Sequence, residues 1–452
     1  MRKSVLAAAL AAAFPVAALA QAGSVEAYGI VDIGFERVDV GSVTSNRFSS
    51  GISAGSRFGL RGREPLGAGY SALFTLEARL EADTGSLGNR GPIYYCGPGL
   101  CPGIAVIPPA TILPPANQAA IVGGSSAVNA ALLSAVTTVN GVNALWDRQS
   151  FAGVITPFGA LLLGRQYTPG YEVLNKYNSF ADATAGQMGQ GYSALAIRAN
   201  NALQWRAELS GFTASVMYGF GGTDGNRNER GAAPTKADDF IGLNLQYNTP
   251  NFGVGVGHNR NYTATYAEPT RTQTGLTTTN AGACFGIGNS LKLFVQYMQR
   301  ENDRPVLRPE DVQAIVIATG GNLAAINGIL GGLYLNPFDM DLVRGVAGAT
   351  DTKIYHLGAQ WTVSGGTWHF AYNNAKDTAR TPWAREDAKV NHYGVAYFHN
   401  MSRRTQLFGA FSLATNDGDA RMGVGAAGYS GGFTTSRGQS GNAIQAGIRH
   451  SF

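Results

Sequence analysis

The last twelve residues, GNAIQAGIRHSF, alternate in character up to the final position. One parity reads Ile444, Ala446, Ile448, His450 and Phe452; the other reads Ala443, Gln445, Gly447, Arg449 and Ser451. A period of two is the signature of a strand. Chain ends fray unless something ties them down, so a strand that runs to a bare terminal aromatic needs a partner. The same alternation recurs through the chain in paired segments, with a short polar turn inside each pair and a longer insert between pairs. Counting gives sixteen strands, seven tight turns and eight longer loops. In hydrocarbon each unpaired backbone group costs several kcal/mol, so a spanning sheet has to close on itself. The pattern therefore predicts an all-β fold: a 16-stranded antiparallel transmembrane β-barrel with short periplasmic turns and long extracellular loops. The terminal strand is expected to pair with the first, VEAYGIVDIGF, leaving Phe452 at the membrane–water boundary.

The N-terminus sets the compartment. MRKSVLAAALAAAFPVAALA carries Arg2 and Lys3, an apolar stretch from Val5 to Leu19, and small residues Ala18 and Ala20. This is the form of a secretory signal at residues 1–20, cleaved after Ala20, with residues 21–452 as the mature barrel. A membrane helix fits poorly, because the run is shorter than the ~20 residues a bilayer requires and Pro15 interrupts it. Without Arg2 and Lys3, 32 basic residues face 29 acidic ones, a formal charge of +3 that does not point to nucleic acid. The 61 Gly, 19 Tyr and 21 Phe suit many short strands better than helices.

Charge assigns the faces. In SALFTLEARLEAD one parity is Ala72, Phe74, Leu76, Ala78 and Leu80; the other is Ser71, Leu73, Thr75, Glu77, Arg79 and Glu81. An arginine on the lipid face at mid-bilayer costs about 2–4 kcal/mol, so the second parity faces the lumen. The same reasoning turns Arg57, Arg61, Gln204, Arg206 and Glu208 inward, and leaves the facing of Arg165 open. Inserts at 85–145 and 302–350 are long for plain loops, and RPEDVQAIVIA has a helix start in Pro309, Glu310 and Asp311. Residues 416–440 are mostly small and polar. Cys96 and Cys101, in CGPGLC, are candidates for a small disulfide; no second ligand pair supports zinc, and Cys284 stands alone.

Several segments together resemble the trimeric general diffusion porins of Gram-negative outer membranes, in the branch common among beta-proteobacteria. They are AYGIVDIGFE, SRFGLRGREPLGAGYSALFTLEARLEADTG, DRQSFAGVITPFGALLLGRQYTP, RANNALQW and AGIRHSF, spread over nearly the whole mature chain. The resemblance implies a homotrimer and a third loop, about Thr168 to Arg198, folded inward to form a constriction. It also implies a basic wall at Arg57, Arg61, Arg79 and Arg148, acidic loop residues at Glu172 and Asp182, and Phe452 as a C-terminal assembly signal. Partners implied are outer-membrane lipid and lipopolysaccharide, the barrel assembly machinery, and small hydrophilic solutes and ions, with no cofactor or metal. The inward arginines then make the pore weakly anion-preferring, because a charge about 7 Å from an ion in water is worth only ~0.6 kcal/mol.

Other classes have less behind them. A solute-selective channel would use Tyr167, Tyr171, Tyr177 and Tyr192 as an aromatic track. A barrel hydrolase would need a serine in a motif near His356 or His369, which the sequence lacks; His258 and His399 fall on the outward parity. An adhesin would require the inserts to block the lumen. GVGAAG, residues 423–428, matches a dinucleotide fingerprint by letter but has no strand-to-helix setting.

Overall fold

The alternation at the terminus closes the sheet. In the computed structural model, which describes residues 23–41, 43–85, 145–181, 184–187, 197–220, 239–263, 274–302, 340–341, 346–347, 350–378, 386–425, 434 and 436–452, the last strand pairs with the first. Strand β1 is Ser24–Asp39. Strand β2 comes in two parts, Thr44–Ser50 and Arg57–Gly67. Next come β3 (Tyr70–Arg79), β4 (Gln149–Thr156), β5 (Gly159–Tyr167), β6 (Arg198–Leu209), β7 (Phe212–Gly219) and β8 (Phe240–Asn248). The second half holds β9 (Phe252–Thr263), β10 (Thr274–Ile287), β11 (Leu291–Asn302), β12 (Thr350–Val363), β13 (Gly366–Asp377), β14 (Ala388–Asn400), β15 (Thr405–Gly418) and β16 (Gly441–Ser451). Every strand pairs antiparallel with its sequence neighbours, and β16 pairs with β1 from Ile30↔Ser451 to Asp39↔Asn442. The sixteen-stranded closed barrel is therefore as the alternation predicts.

Phe452 is fixed in place. Its backbone N–H donates to the Gly29 carbonyl and its carbonyl accepts from the Gly29 N–H, both at 3.1 Å. Its ring lies against the Cα of Gly29, where any side chain would collide with it. Half of the ring area is covered, so Phe452→Ala should lower barrel stability by about 1–2 kcal/mol. A fall in the temperature at which the compact electrophoretic band converts to the unfolded band checks this. An unchanged transition would remove the terminal ring from the seam's stability.

Two strands differ from expectation. The segment FSSGISAGSRFGLRG reads as one strand, but residues 51–56 leave the ladder and fold inward. The cause is Asp32, which faces the lumen on β1 and accepts from the Ser53 N–H at 3.1 Å and the Ala54 N–H at 3.0 Å, as well as from the Ser53 hydroxyl. The strand predicted to be short around GACFG instead spans Thr274–Ile287. Its first half, TGLTTTN, has one large apolar residue and a run of three threonines, so it lacks the large apolar rhythm by which strands are recognised.

The faces follow the charge argument. Gln204 and Arg206 point inward while Leu203 and Trp205 are exposed outward, and Glu77 and Arg79 are buried inside the barrel. Arg165, ambiguous by sequence, turns inward at a bulge between Gly164 and Gln166. The interior also holds an apolar cluster at the loop end, where Met422 and Val424, beyond β15, pack with Val38, Ile354 and Val390. The proposed signal, Cys96 and Cys101, Asp182, Tyr192, the helix start at Pro309 and most of both long inserts lie outside the described residues. Cys284 is a buried free thiol.

Candidate functional site in the lumen

The segment after GRQYTP enters the barrel. Pro169 sits in the first turn of helix α1, Pro169–Lys176, where its missing N–H costs nothing and its fixed φ favours a helix start. The helix rests on the inner face of β8–β10. Asn259 accepts from the Gly170 N–H at 2.9 Å, and Asn280 donates to the Gly170 carbonyl at 2.8 Å. Closer approach is possible because the wall beneath is glycine. A Cβ at Gly282 would lie 2.5 Å from the Tyr177 Cβ, and one at Gly255 would lie 2.7 Å from its ring.

Past the helix the loop continues round the wall. Gln360 on β12 donates to the Ser179 carbonyl at 2.7 Å, and His356 accepts from the Ser179 N–H at 3.1 Å. The other His356 nitrogen contacts Asn373 Oδ1 at 2.6 Å. Asn373 reaches His392, whose Nε2 lies 2.9 Å from the Ala185 carbonyl. Both histidines are thus fully engaged as struts under the loop. The Ser179 hydroxyl donates to the Phe370 carbonyl at 2.7 Å, so it is not a nucleophile held by His356. Near its tip the loop reaches the seam: the Ala185 N–H donates to Gln445 on β16 at 2.9 Å, and the Thr184 N–H donates to the Ile52 carbonyl at 2.8 Å.

Residues 51–56 are consequently a second inward element, missed because their sequence reads as strand. Ile52 is fully buried against Phe180, Phe398 and Phe408. Asp32→Asn should release this segment at a cost of about 1–3 kcal/mol, since a carboxylate that accepts three hydrogen bonds is replaced by a group with one carbonyl acceptor. Faster proteolytic cleavage at residues 51–56 is the expected readout; a cleavage pattern like wild type would show that Asp32 is not its anchor.

Charges gather on the opposite wall. Arg148 donates to Glu77 at 2.6 Å and to the Tyr167 hydroxyl at 2.9 Å. Arg57 lies 3.8 Å from Glu77. Arg198, which sequence reasoning placed only as the end of the loop, donates to the Tyr167 hydroxyl at 3.1 Å and stacks its guanidinium 4.6 Å from that ring. Two guanidiniums thus share one carboxylate, and Arg198 joins them through the Tyr167 ring and hydroxyl. With a side chain 16% exposed against 6% for Arg148, Arg57 is the more open to the lumen of those two.

The remaining predicted residues separate from this group. Arg79 accompanies Asp147, which accepts its backbone N–H at 2.8 Å and lies 3.4 Å from its Nε. Arg61 is four residues along β2 from Arg57, about 13 Å away, and is paired with Glu26 at 2.8 Å near the turn end. Glu172 on α1 binds Arg206 and accepts from Asn244 at 2.8 Å, so the acidic loop residue is already paired. On the same helix burial, together with the charge of Arg206, holds the Lys176 ammonium below its ordinary pKa. Tyr171 and Tyr177 are buried as anchors of the loop and do not form an open track. Among the described residues no cluster of His, Cys, Asp or Glu is arranged to hold a metal ion.

The fold and this interior can be set beside known proteins. A family model described as Gram-negative porin matches residues 7–419. Outer membrane porin protein 32 of Delftia acidovorans is 25% identical over 466 aligned positions, covering 100% of both chains. An outer membrane porin protein of Bordetella pertussis is 39% identical over 109 residues, 21% of this chain and 28% of its own length. Among solved structures, an anion-selective porin from Comamonas acidovorans superposes with a TM-score of 0.64 at 23% identity, covering 95% of this chain and 100% of that one. The trimer form of OmpT from Vibrio cholerae gives 0.55 at 13% identity over 96% and 100%. Matched along most of its length and closed into the same barrel, the chain belongs to the Gram-negative porin family, outer-membrane channels rather than enzymes.

Proposed function

We propose that the protein is a passive, weakly anion-preferring diffusion channel for small hydrophilic solutes, narrowed where the third loop faces the basic wall. The observation that carries this reading is the unequal charge of the two sides. Among the described residues, Arg57 and Arg148 share Glu77 on the wall with Arg198 beside them on Tyr167, whereas on the loop Glu172 is paired with Arg206, which also binds Glu208. A passing anion meets the excess of guanidinium groups on the wall, while Glu172, the acidic residue of the loop among those described, is held in an ion pair.

The same reading includes a homotrimer, a signal cleaved after Ala20, and Phe452 as the residue presented to the assembly machinery. The likeness to an anion-selective porin and to the trimer form of OmpT supports it. Recording purified mature protein in a planar bilayer under a salt gradient tests it. Three equal conductance steps per insertion and a mildly anion-selective reversal potential are expected. Folded protein with no conductance would overturn the channel reading.

A further inference from the structure

The third loop is held at Ser179 and at Ala185 by the two ends of one chain of hydrogen bonds, and the direction of every bond in it is fixed. The Ser179 N–H can only donate, and it donates to His356 Nε2 at 3.1 Å. A neutral ring that accepts at Nε2 carries its hydrogen on Nδ1. That hydrogen goes to Asn373 Oδ1 at 2.6 Å, which turns the Asn373 amide nitrogen toward His392 Nδ1 at 3.0 Å. His392 therefore accepts at Nδ1 and donates from Nε2, which lies 2.9 Å from the Ala185 carbonyl and 2.6 Å from Ser412 Oγ. The Ser412 hydroxyl gives its own hydrogen to the same carbonyl at 2.9 Å. His356, Asn373 and His392 are buried, on neighbouring strands β12, β13 and β14.

From loop to loop the chain has a donor fixed at one end, an acceptor fixed at the other, and one hydrogen in each gap between. A further hydrogen on His356 meets the Ser179 N–H; on His392 it meets the Asn373 amide hydrogens. Turning the Asn373 amide over moves the conflict along to Ser179 without removing it. The surroundings offer no compensation. Each ring has the other as a titratable neighbour through Asn373. On the inner wall Gln296 stands opposite His356 and Ala414 opposite His392, and Ile354, Ala371, Ala375 and Val390 are apolar. The inward charged or titratable side chains on the adjoining strands are Arg300 and Asp377 toward the loops and His369 toward the turns. Each is four residues, about 13 Å along a strand, from Gln296 or Asn373. Beyond β15, Glu36 is occupied by Arg47 and Gln445. From the loop comes the Tyr177 phenol, bonded to Asn248 at 3.1 Å. Room to adjust is also small, since a Cβ at Gly394 would lie 2.6 Å from the Gly186 Cα.

We propose that the chain from Ser179 through His356, Asn373 and His392 to Ala185 is an acid-sensitive latch, which a proton on either imidazole opens, letting the loop swing from the wall into the lumen. The sign follows from the bonds: the latch needs both rings neutral, so it is complete at neutral pH and is lost as the pH falls through their titration. Helix α1 stays docked through Asn259 and Asn280, neither of which titrates, so the release is local and reversible. The latch rests on the path of the loop inside the barrel and not on the ion preference of the channel.

Single-channel recording of the mature protein between about pH 7 and about pH 4, across the histidine range, tests the latch. Wild type should be steady at neutral pH and close in acid, the closed-to-open ratio rising about tenfold per pH unit where one proton suffices, and recovering on return to neutral. H356Q/H392Q offers an acceptor and a donor at each position without titrating, and should stay open in acid. Asn373→Leu cuts the chain and leaves both histidines, so it should show at neutral pH the closures that wild type shows in acid. Nitrogen NMR of histidine-labelled wild type in bilayers reads the chain even where no current flows: His356 should carry its hydrogen on Nδ1 and His392 on Nε2. The opposite tautomers would overturn the latch, as would a wild type steady in acid or an N373L channel steady at neutral pH. Acid closure that persists in H356Q/H392Q would also overturn it, by moving the sensor to His369 or Glu36.

Discussion

Removing Arg57 and Arg198 together, as R57A/R198A, is expected to lower the anion-to-cation permeability ratio by about sevenfold. Each charge about 7 Å from a passing ion is worth ~0.6 kcal/mol in water, or nearly threefold, and the effects of two charges multiply. The pairing pattern makes these two the informative choice. Arg148 is tied to Glu77 at 2.6 Å, so its removal also unpairs a buried carboxylate. Arg79 is matched by Asp147, and Arg61 is matched by Glu26 far along the strand, so R61A should change the ratio little. Reversal potentials under a salt gradient give all of these ratios. A double variant with the wild-type ratio would move the selective charges elsewhere in the pore.

The second large effect comes from the glycines under the third loop. Gly282→Val places a branched side chain where the Tyr177 Cβ now lies 2.5 Å from an ideal Cβ position. Overpacking of this kind costs about 1–3 kcal/mol. The strand is held on both sides by β9 and β11, so the loop is the part that yields. The only room for it is the lumen. Unitary conductance should therefore fall and the open level should become noisy, while the heat-modifiable folded band persists. A steady wild-type conductance would mean that the loop does not set the width of the pore.

How much of this could be read beforehand depends on the length of chain a feature occupies. Strand number, the closing pair and the inward parity are repeated many times, so errors at single positions average out. The pairing of charges is not periodic. Arg198 sits at the very start of a strand and looks like a loop end, and nothing local in Glu172 announces Arg206, 34 residues away, as its partner. The inward fold at residues 51–56 escaped for a related reason. FSSGISAGS alternates well enough to pass for strand, and only Asp32, more than twenty residues earlier, draws its amides out of the ladder. His356 falls on the inward parity by sequence and His392 carries no assignment, and their use as struts for Ser179 and Ala185 depends on a loop path that no pattern encodes.

The reach of the third loop to the seam has a consequence for the order of events during assembly. Its tip bonds to Gln445 on the last strand and to Ile52 behind the first hairpin, and Gln445 in turn donates to Glu36 on β1. These three anchors come together only once the last strand has met the first. A barrel still open at that seam holds a loop with its helix docked and its tip unplaced. Closure and completion of the pore are then a single late step, and a growing barrel cannot acquire its final permeability one hairpin at a time.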